Sequence, residues 1–138
     1  MLIDDDVDFL DALHEMLAAP GYAILRATDG LSAIRLLEEH RELIDLAIVD
    51  LALPGMNGFE IIGAVSRRPN SVKVIATTGI YRDSQLEIAG ALGAHAVIRK
   101  PAPGSPLPKR EWLGTVEKLI GIPGAKMVRA AGSQPGRE

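Results

Sequence analysis

Five residues of this 138-residue chain have the types and spacing to do chemistry together: Asp4, Asp5, Asp50, Thr78 and Lys100. Asp4 and Asp5 follow the apolar run 1–3, and Asp50 closes the apolar run 46–49. Thr78-Gly79 follows the run 72–76, and Lys100-Pro101 follows the run 96–98. A carboxylate delivered by a buried run needs a cation or hydrogen-bond donors beside it. Within the stretch 48–58 alone, Asp50 reads equally well as a turn cap. Thr77 and Thr78 taken singly suit a strand, and Lys100 suits an exposed loop. Asp6 and Asp8 read as a solvated acidic first turn, favoured by the helix dipole. Three carboxylates brought together would repel and raise one another's pKa. A divalent cation relieves that conflict, and a set of hard oxygen ligands with retained waters describes magnesium rather than zinc. Lys100 adds a point charge able to meet a carboxylate or a phosphoryl oxygen. Thr78 adds a hydroxyl, with space left by Gly79. Magnesium, ammonium and hydroxyl around one carboxylate stabilise charge on a phosphoryl group in transfer, with Asp50 as nucleophile.

These residues converge only if the elements between them are strands in one sheet, and the hydrophobic periodicity says that they are. Phe9, Leu10, Leu13, Met16 and Leu17 recur at helical spacing, ended by Pro20-Gly21. Residues 22–27 alternate in a β-like way. Asp29-Gly30 opens a second helix carrying Leu31, Ile34 and Leu37. Gly58, Ile61, Ile62 and Val65 mark a third helix, ended near Pro69-Asn70. A fourth is predicted over residues 83–92, with Gly93 as its C-cap. A Pro/Gly/Ser-rich connection, 102–108, leads to a last helix with Trp112, Leu113, Val116, Leu119 and Ile120 on one face. Five strands alternating with five helices predict an α/β doubly wound, five-stranded parallel sheet with helices on both faces. Such sheets bind ligands outside the carboxyl ends of their strands. Four of the five predicted strands end on a candidate residue; the second does not, which suits an edge.

Length and composition exclude several alternatives. One domain of this size buries a core without staples. A net charge of −3 argues against a general nucleic-acid binder, and the absence of cysteine removes disulfides, thiolate metal sites and cysteine catalysis. No apolar run has the length of a membrane span and no signal pattern opens the chain, so a cytoplasmic protein is expected. No Walker loop or G-x-G-x-x-G supports nucleotide binding.

The chain resembles the receiver domain of two-component response regulators, in stand-alone form like a chemotaxis regulator. The resemblance covers roughly residues 2–120. It rests on Asp4-Asp5, on the stretch Asp50-Leu51-Ala52-Leu53-Pro54-Gly55-Met56-Asn57-Gly58, on Thr78-Gly79 and on Lys100-Pro101, in order and at family-like spacing. It implies a flavodoxin-like fold with strand order 2-1-3-4-5. It further implies Asp50 as phospho-acceptor, and Asp4, Asp5, Asp50 and the backbone carbonyl of Ala52 as ligands of Mg2+. Thr78 and Lys100 would contact the phosphoryl group. The implied donor is a histidine kinase or phosphotransfer protein, and the output an unidentified protein partner, with neither nucleic acid nor membrane contacted directly. Such a module is not a conventional enzyme, although it promotes its own phosphorylation and slow dephosphorylation.

Three features depart from the family pattern. Only residues 1–3 precede the acids, consistent with a differently assigned start or a truncation. The switch position three before the lysine, usually aromatic, is Val97. Pro101 leads into a proline-rich loop rather than a short link. A receiver domain over 1–120 and a flexible tail over 121–138 are expected, the tail being too short for an output domain. The alternatives are a receiver-like interaction domain that is never phosphorylated, disfavoured because all five site residues are present, and a metal-dependent phosphohydrolase. The latter is disfavoured by the lack of a substrate-binding cap or a second acid-base group near Asp50.

Overall fold

In a computed structural model, which describes residues 1–53, 55–67, 72–79 and 83–123, strands and helices alternate from Leu2 to Ile120. The order is β1 (Leu2–Ile3), α1 (Val7–Ala18), β2 (Arg26–Ala27), α2 (Gly30–His40), β3 (Leu46–Asp50), α3 (Gly58–Ser66), β4 (Lys73–Thr78), α4 (Asp83–Leu92), β5 (Ala96–Arg99) and α5 (Lys109–Ile120). All pairings are parallel, in the order β2-β1-β3-β4-β5, the flavodoxin-like order. The strand lacking a polar residue at its end, β2, is at the edge. Among the described residues no helix is long and apolar enough to cross a membrane.

Alternation along β3 divides the core in two, because successive strand side chains point to opposite faces. Ala47 and Val49 join Ala33 and Leu37 of α2, Ile61, Ile62 and Val65 of α3, and Ala89 of α4 on one face. Leu46 and Ile48 join Phe9, Leu10, Leu13, Met16 and Leu17 of α1, and Trp112 and Val116 of α5, on the other. Local signals start the helices. Asp6 caps α1 by accepting from the Phe9 amide (3.2 Å), and Asp29 caps α2 by accepting from the Ser32 amide (2.8 Å). Asn57 and Glu60 form a capping box on α3, the reciprocal arrangement that satisfies two orphan amides. Gly93 follows α4 in the left-handed region (φ +116°), as expected of a C-cap.

Two expectations are corrected. Residues 22–25 lie outside any strand, so β2 is two residues long rather than six; β1 is equally short and offers no longer partner. Leu31 is 70% exposed, because α2 turns Gly30, Ala33 and Leu37 inward instead. Of the other expectations, those on Pro54, Pro69, Asn70 and the tail from residue 124 lie outside the described residues.

Leu13, fully buried, and Leu31 therefore predict opposite outcomes. Leu13→Ala should cost about 2–5 kcal/mol through lost burial and a residual cavity, whereas Leu31→Ala should stay within about 0.5 kcal/mol. Urea unfolding of both variants checks the pair.

Candidate functional site

The parallel sheet brings the carboxyl ends of β1, β3, β4 and β5 to one edge, and the candidate residues arrive there on strand ends or one or two residues beyond. Asp50 is the last residue of β3 and sits opposite Thr77 of β4. Thr78 ends β4, and its carbonyl accepts from the Lys100 amide (3.0 Å) just past β5. Asp4 follows β1, its amide held by the Ala27 carbonyl (3.1 Å). Asp4 and Asp50 are 2% and 3% exposed, while Asp5 is open to solvent. Thr78 is buried, and the side chain of Thr77 turns back to the Val49 carbonyl (3.4 Å).

One carboxylate oxygen from each of Asp4, Asp5 and Asp50 lies within 4.8 Å of the other two. The Lys100 ammonium reaches both buried members, 3.0 Å from Asp4 Oδ1, 2.8 Å from Asp4 Oδ2 and 3.4 Å from Asp50 Oδ2. Backbone amides complete the set: Asp6 donates to Asp4 Oδ1 (2.9 Å) and Ala52 to Asp50 Oδ1 (3.0 Å). The approach of Lys100 to Asp4 Oδ2 is an ion contact without hydrogen-bond geometry, so this buried oxygen has no hydrogen-bond donor among the described residues. Three carboxylates against one ammonium formally leave two negative charges uncompensated. An all-oxygen set with that charge and a donor-free buried oxygen fits a hard divalent cation such as magnesium.

The electrostatics show which effect dominates. Burial pushes the Asp4 carboxyl up to about 6; the hydrogen bonds from Lys100 and the Asp6 amide oppose the shift, and the charge of Asp50 adds to it. Desolvation thus outweighs the ion pair, as is common for buried pairs. For Lys100 burial acts downward, but the hydrogen bond and charge of Asp4, followed by Asp50, outweigh it and raise its pKa.

Packing behind the site fixes the loop that carries the acceptor. A Cβ at Gly58 would overlap the Asp50 carbonyl oxygen and stand 2.7 Å from Leu51 Cα. Only glycine lets the start of α3 approach that closely. Gly30 at the start of α2 is similarly tight: a Cβ there would stand 2.6 Å from Met56 Cβ. The sequence reading missed three local features. Asp6 is a cap and its amide serves Asp4; Gly58 is a close approach as well as a helix start; and Phe9, a core residue by periodicity, also lies under Lys100. The acidic run offered a signal for the first. Periodicity reports burial without naming the neighbour, so it offered none for the third. Val97 is half-buried on β5 beside Ala76, packed against the core face of α2 to α4. Ala52 is exposed.

The raised Asp4 pKa predicts a sign for stability against pH. The folded state holds this proton more tightly than the unfolded chain, so stability falls as pH rises from about 4 to about 6. The contribution of Lys100, whose folded pKa is raised above 10.5, stays constant over that window. Without magnesium, wild type should therefore gain stability relative to Asp4→Asn on acidification from pH 7 to 5. Parallel urea midpoints across that range would contradict the assignment.

Comparison with known proteins agrees with this geometry. The family model for the response regulator receiver domain matches residues 1–110. An uncharacterized 14.6 kDa protein in the sodA1 3' region of Leptolyngbya boryana is 36% identical over 103 residues, covering 73% of this chain and 77% of that one. The transcriptional regulatory protein AfsQ1 of Streptomyces coelicolor is 32% identical over 110 residues, 80% of this chain but 48% of its own length. The chain thus spans about half of that regulator. Among solved structures, the CheY-like receiver domain protein from Methanospirillum hungatei JF-1 superposes with a TM-score of 0.75 at 26% identity, covering 85% of this chain and 88% of that one. A five-stranded sheet in the order 2-1-3-4-5, an acidic cluster at its carboxyl edge and a family match over most of the chain lead to one conclusion: the chain belongs to the response regulator receiver domain family.

Proposed function

We propose that this receiver is a cytoplasmic phospho-accepting module, in which Asp50 takes a phosphoryl group from a phosphohistidine on a histidine kinase or phosphotransfer protein and the altered surface then signals to a protein partner. One observation carries the reading: Asp50 is buried, yet shares its edge with Asp4, Asp5 and the Lys100 ammonium. A structural carboxylate would gain nothing from two acidic neighbours, which only raise the cost of its charge.

Asp4, Asp5 and Asp50 would hold Mg2+, together with the backbone carbonyl of Ala52. Bound there, the ion supplies positive charge against the oxygens of the transferring group. An Asp50 carboxylate oxygen forms the bond to phosphorus while the P–N bond of the donor breaks. The bonding pair returns to the donor imidazole. The Ala52 amide, 3.0 Å from Asp50 Oδ1, orients the carboxylate for that attack. Lys100, already 3.4 Å from Asp50 Oδ2, meets the phosphoryl oxygens, and the Thr78 hydroxyl donates to another of them. Val97, at the switch position, has no ring to exchange between surface and core and a stiff β-branched χ1. Output through β5 is correspondingly weaker than with an aromatic residue there.

With acetyl phosphate and magnesium, wild type should gain one phosphoryl group by intact mass and Asp50→Asn none, and Asp5→Ala should lose most of the magnesium-induced rise in Tm. Equal labelling of wild type and Asp50→Asn would refute the acceptor assignment.

A further inference from the structure

We propose that Phe9 is a positioning residue for the Lys100 ammonium, holding it at the acceptor by its ring face; this rests on the phospho-acceptor reading above. The ammonium lies 5.0 Å from the centroid of the Phe9 ring, within the range of a cation–π contact. Its other neighbours, Asp4 at 2.8 and 3.0 Å and Asp50 at 3.4 Å, are the carboxylates of the site. The Lys100 side chain is 15% exposed, so ring and carboxylates enclose most of it.

Phe9 is itself fixed from two directions. Its amide donates to Asp6 Oδ1 (3.2 Å), which ties the first turn of α1 to the same acidic run that supplies Asp4. Its ring meets that of Trp112 of α5 edge-to-face, with centroids 5.9 Å apart and planes at 64°, a favourable T-shaped geometry. Trp112 is fully buried, the only tryptophan of the chain, and its indole Nε1 has no hydrogen-bond partner among the described residues. Trp112 shares its core cluster with Phe9, so the indole packs against the ring beneath Lys100.

The chemical advantage lies in what the ring lacks. A carboxylate in its place would hold the ammonium as well, but its negative charge would repel an incoming phosphoryl group and compete for the lysine. A ring quadrupole attracts the cation with no net charge. When a divalent ion occupies Asp4, Lys100 loses part of its hold on that side and the ring remains. The ammonium then stays in reach of Asp50 and of the group Asp50 receives. The same contact makes Trp112 a reporter of Lys100 through Phe9.

The test follows the rate of phosphorylation by acetyl phosphate with saturating magnesium, by intact mass. Phe9→Leu should slow the maximal rate roughly fivefold, the scale of a partly buried cation–π contact, with the donor concentration at half-maximal rate and the magnesium-induced rise in Tm unchanged. Phe9→Tyr should restore the rate to within about twofold, because it keeps the ring face. Trp112 emission should respond to beryllofluoride with magnesium in wild type and in Phe9→Tyr, and not in Phe9→Leu. Should Phe9→Leu fold poorly, 3,4,5-trifluorophenylalanine at position 9 keeps the shape while depleting the ring face, and it should slow labelling in the same direction. A wild-type rate in Phe9→Leu or in the trifluoro protein, with labelling still lost in Asp50→Asn, overturns the positioning role and leaves the acceptor reading standing. Wild type that takes no phosphoryl group on Asp50 overturns both.

Discussion

The structure depends on one half-buried ammonium, that of Lys100, placed between two carboxylates that would otherwise repel each other. Lys100 stands within 3.4 Å of both Asp4 and Asp50, reaching from beyond β5 across the carboxyl edge of the sheet to the ends of β1 and β3. The pair is not there for stability. Burial raises the Asp4 pKa to about 6 in spite of the lysine, so the ionised site costs free energy at neutral pH. A protein keeps such an arrangement where the charges have work to do, because strongly perturbed groups gather at functional sites.

The two-faced core provides the rigidity that offsets that cost. Ile48 and Val49, adjacent on β3, point to opposite faces and anchor the strand that ends on Asp50. Behind the strand, Gly58 lets α3 abut the backbone of Asp50 and Leu51, while Gly30 lets α2 press against Met56. On the other face, Phe9 and Trp112 bring α1 and α5 together directly beneath the lysine. Four of the helices that seal the core, α1, α2, α3 and α5, thus also brace the elements that carry the site. A shift in either helix layer therefore moves a ligand of the site.

Much of this was legible in the sequence, for a physical reason. Apolar runs that stop on Asp4, Asp50, Thr78 and Lys100 mark strand ends, and parallel strands in a doubly wound sheet bring those ends to one edge. The helices were legible where apolar periodicity and capping residues agree, as at Asn57-Gly58 and at residues 83–93. Pairing length was not: residues 22–27 alternate like a strand, but a strand extends only as far as its neighbour does. Leu31 misled because an apolar residue beside a capped start resembles a core position, and only the packed helix reveals which way it faces. Phe9 was legible as buried. That its ring lies under Lys100, ninety-one positions later, emerges only once α1 has packed on the sheet.

Carbon-13 spectra of the aspartate carboxyl groups during a magnesium titration test the central claim most directly, that Asp4, Asp5 and Asp50 act as one divalent-cation site beside Lys100. The account predicts that the carboxyl carbons of these three residues shift together along one saturating curve, while those of Asp6, Asp8 and Asp11 stay in place. A titration in which Asp50 does not move, or in which Asp6 and Asp8 respond in its stead, would contradict it.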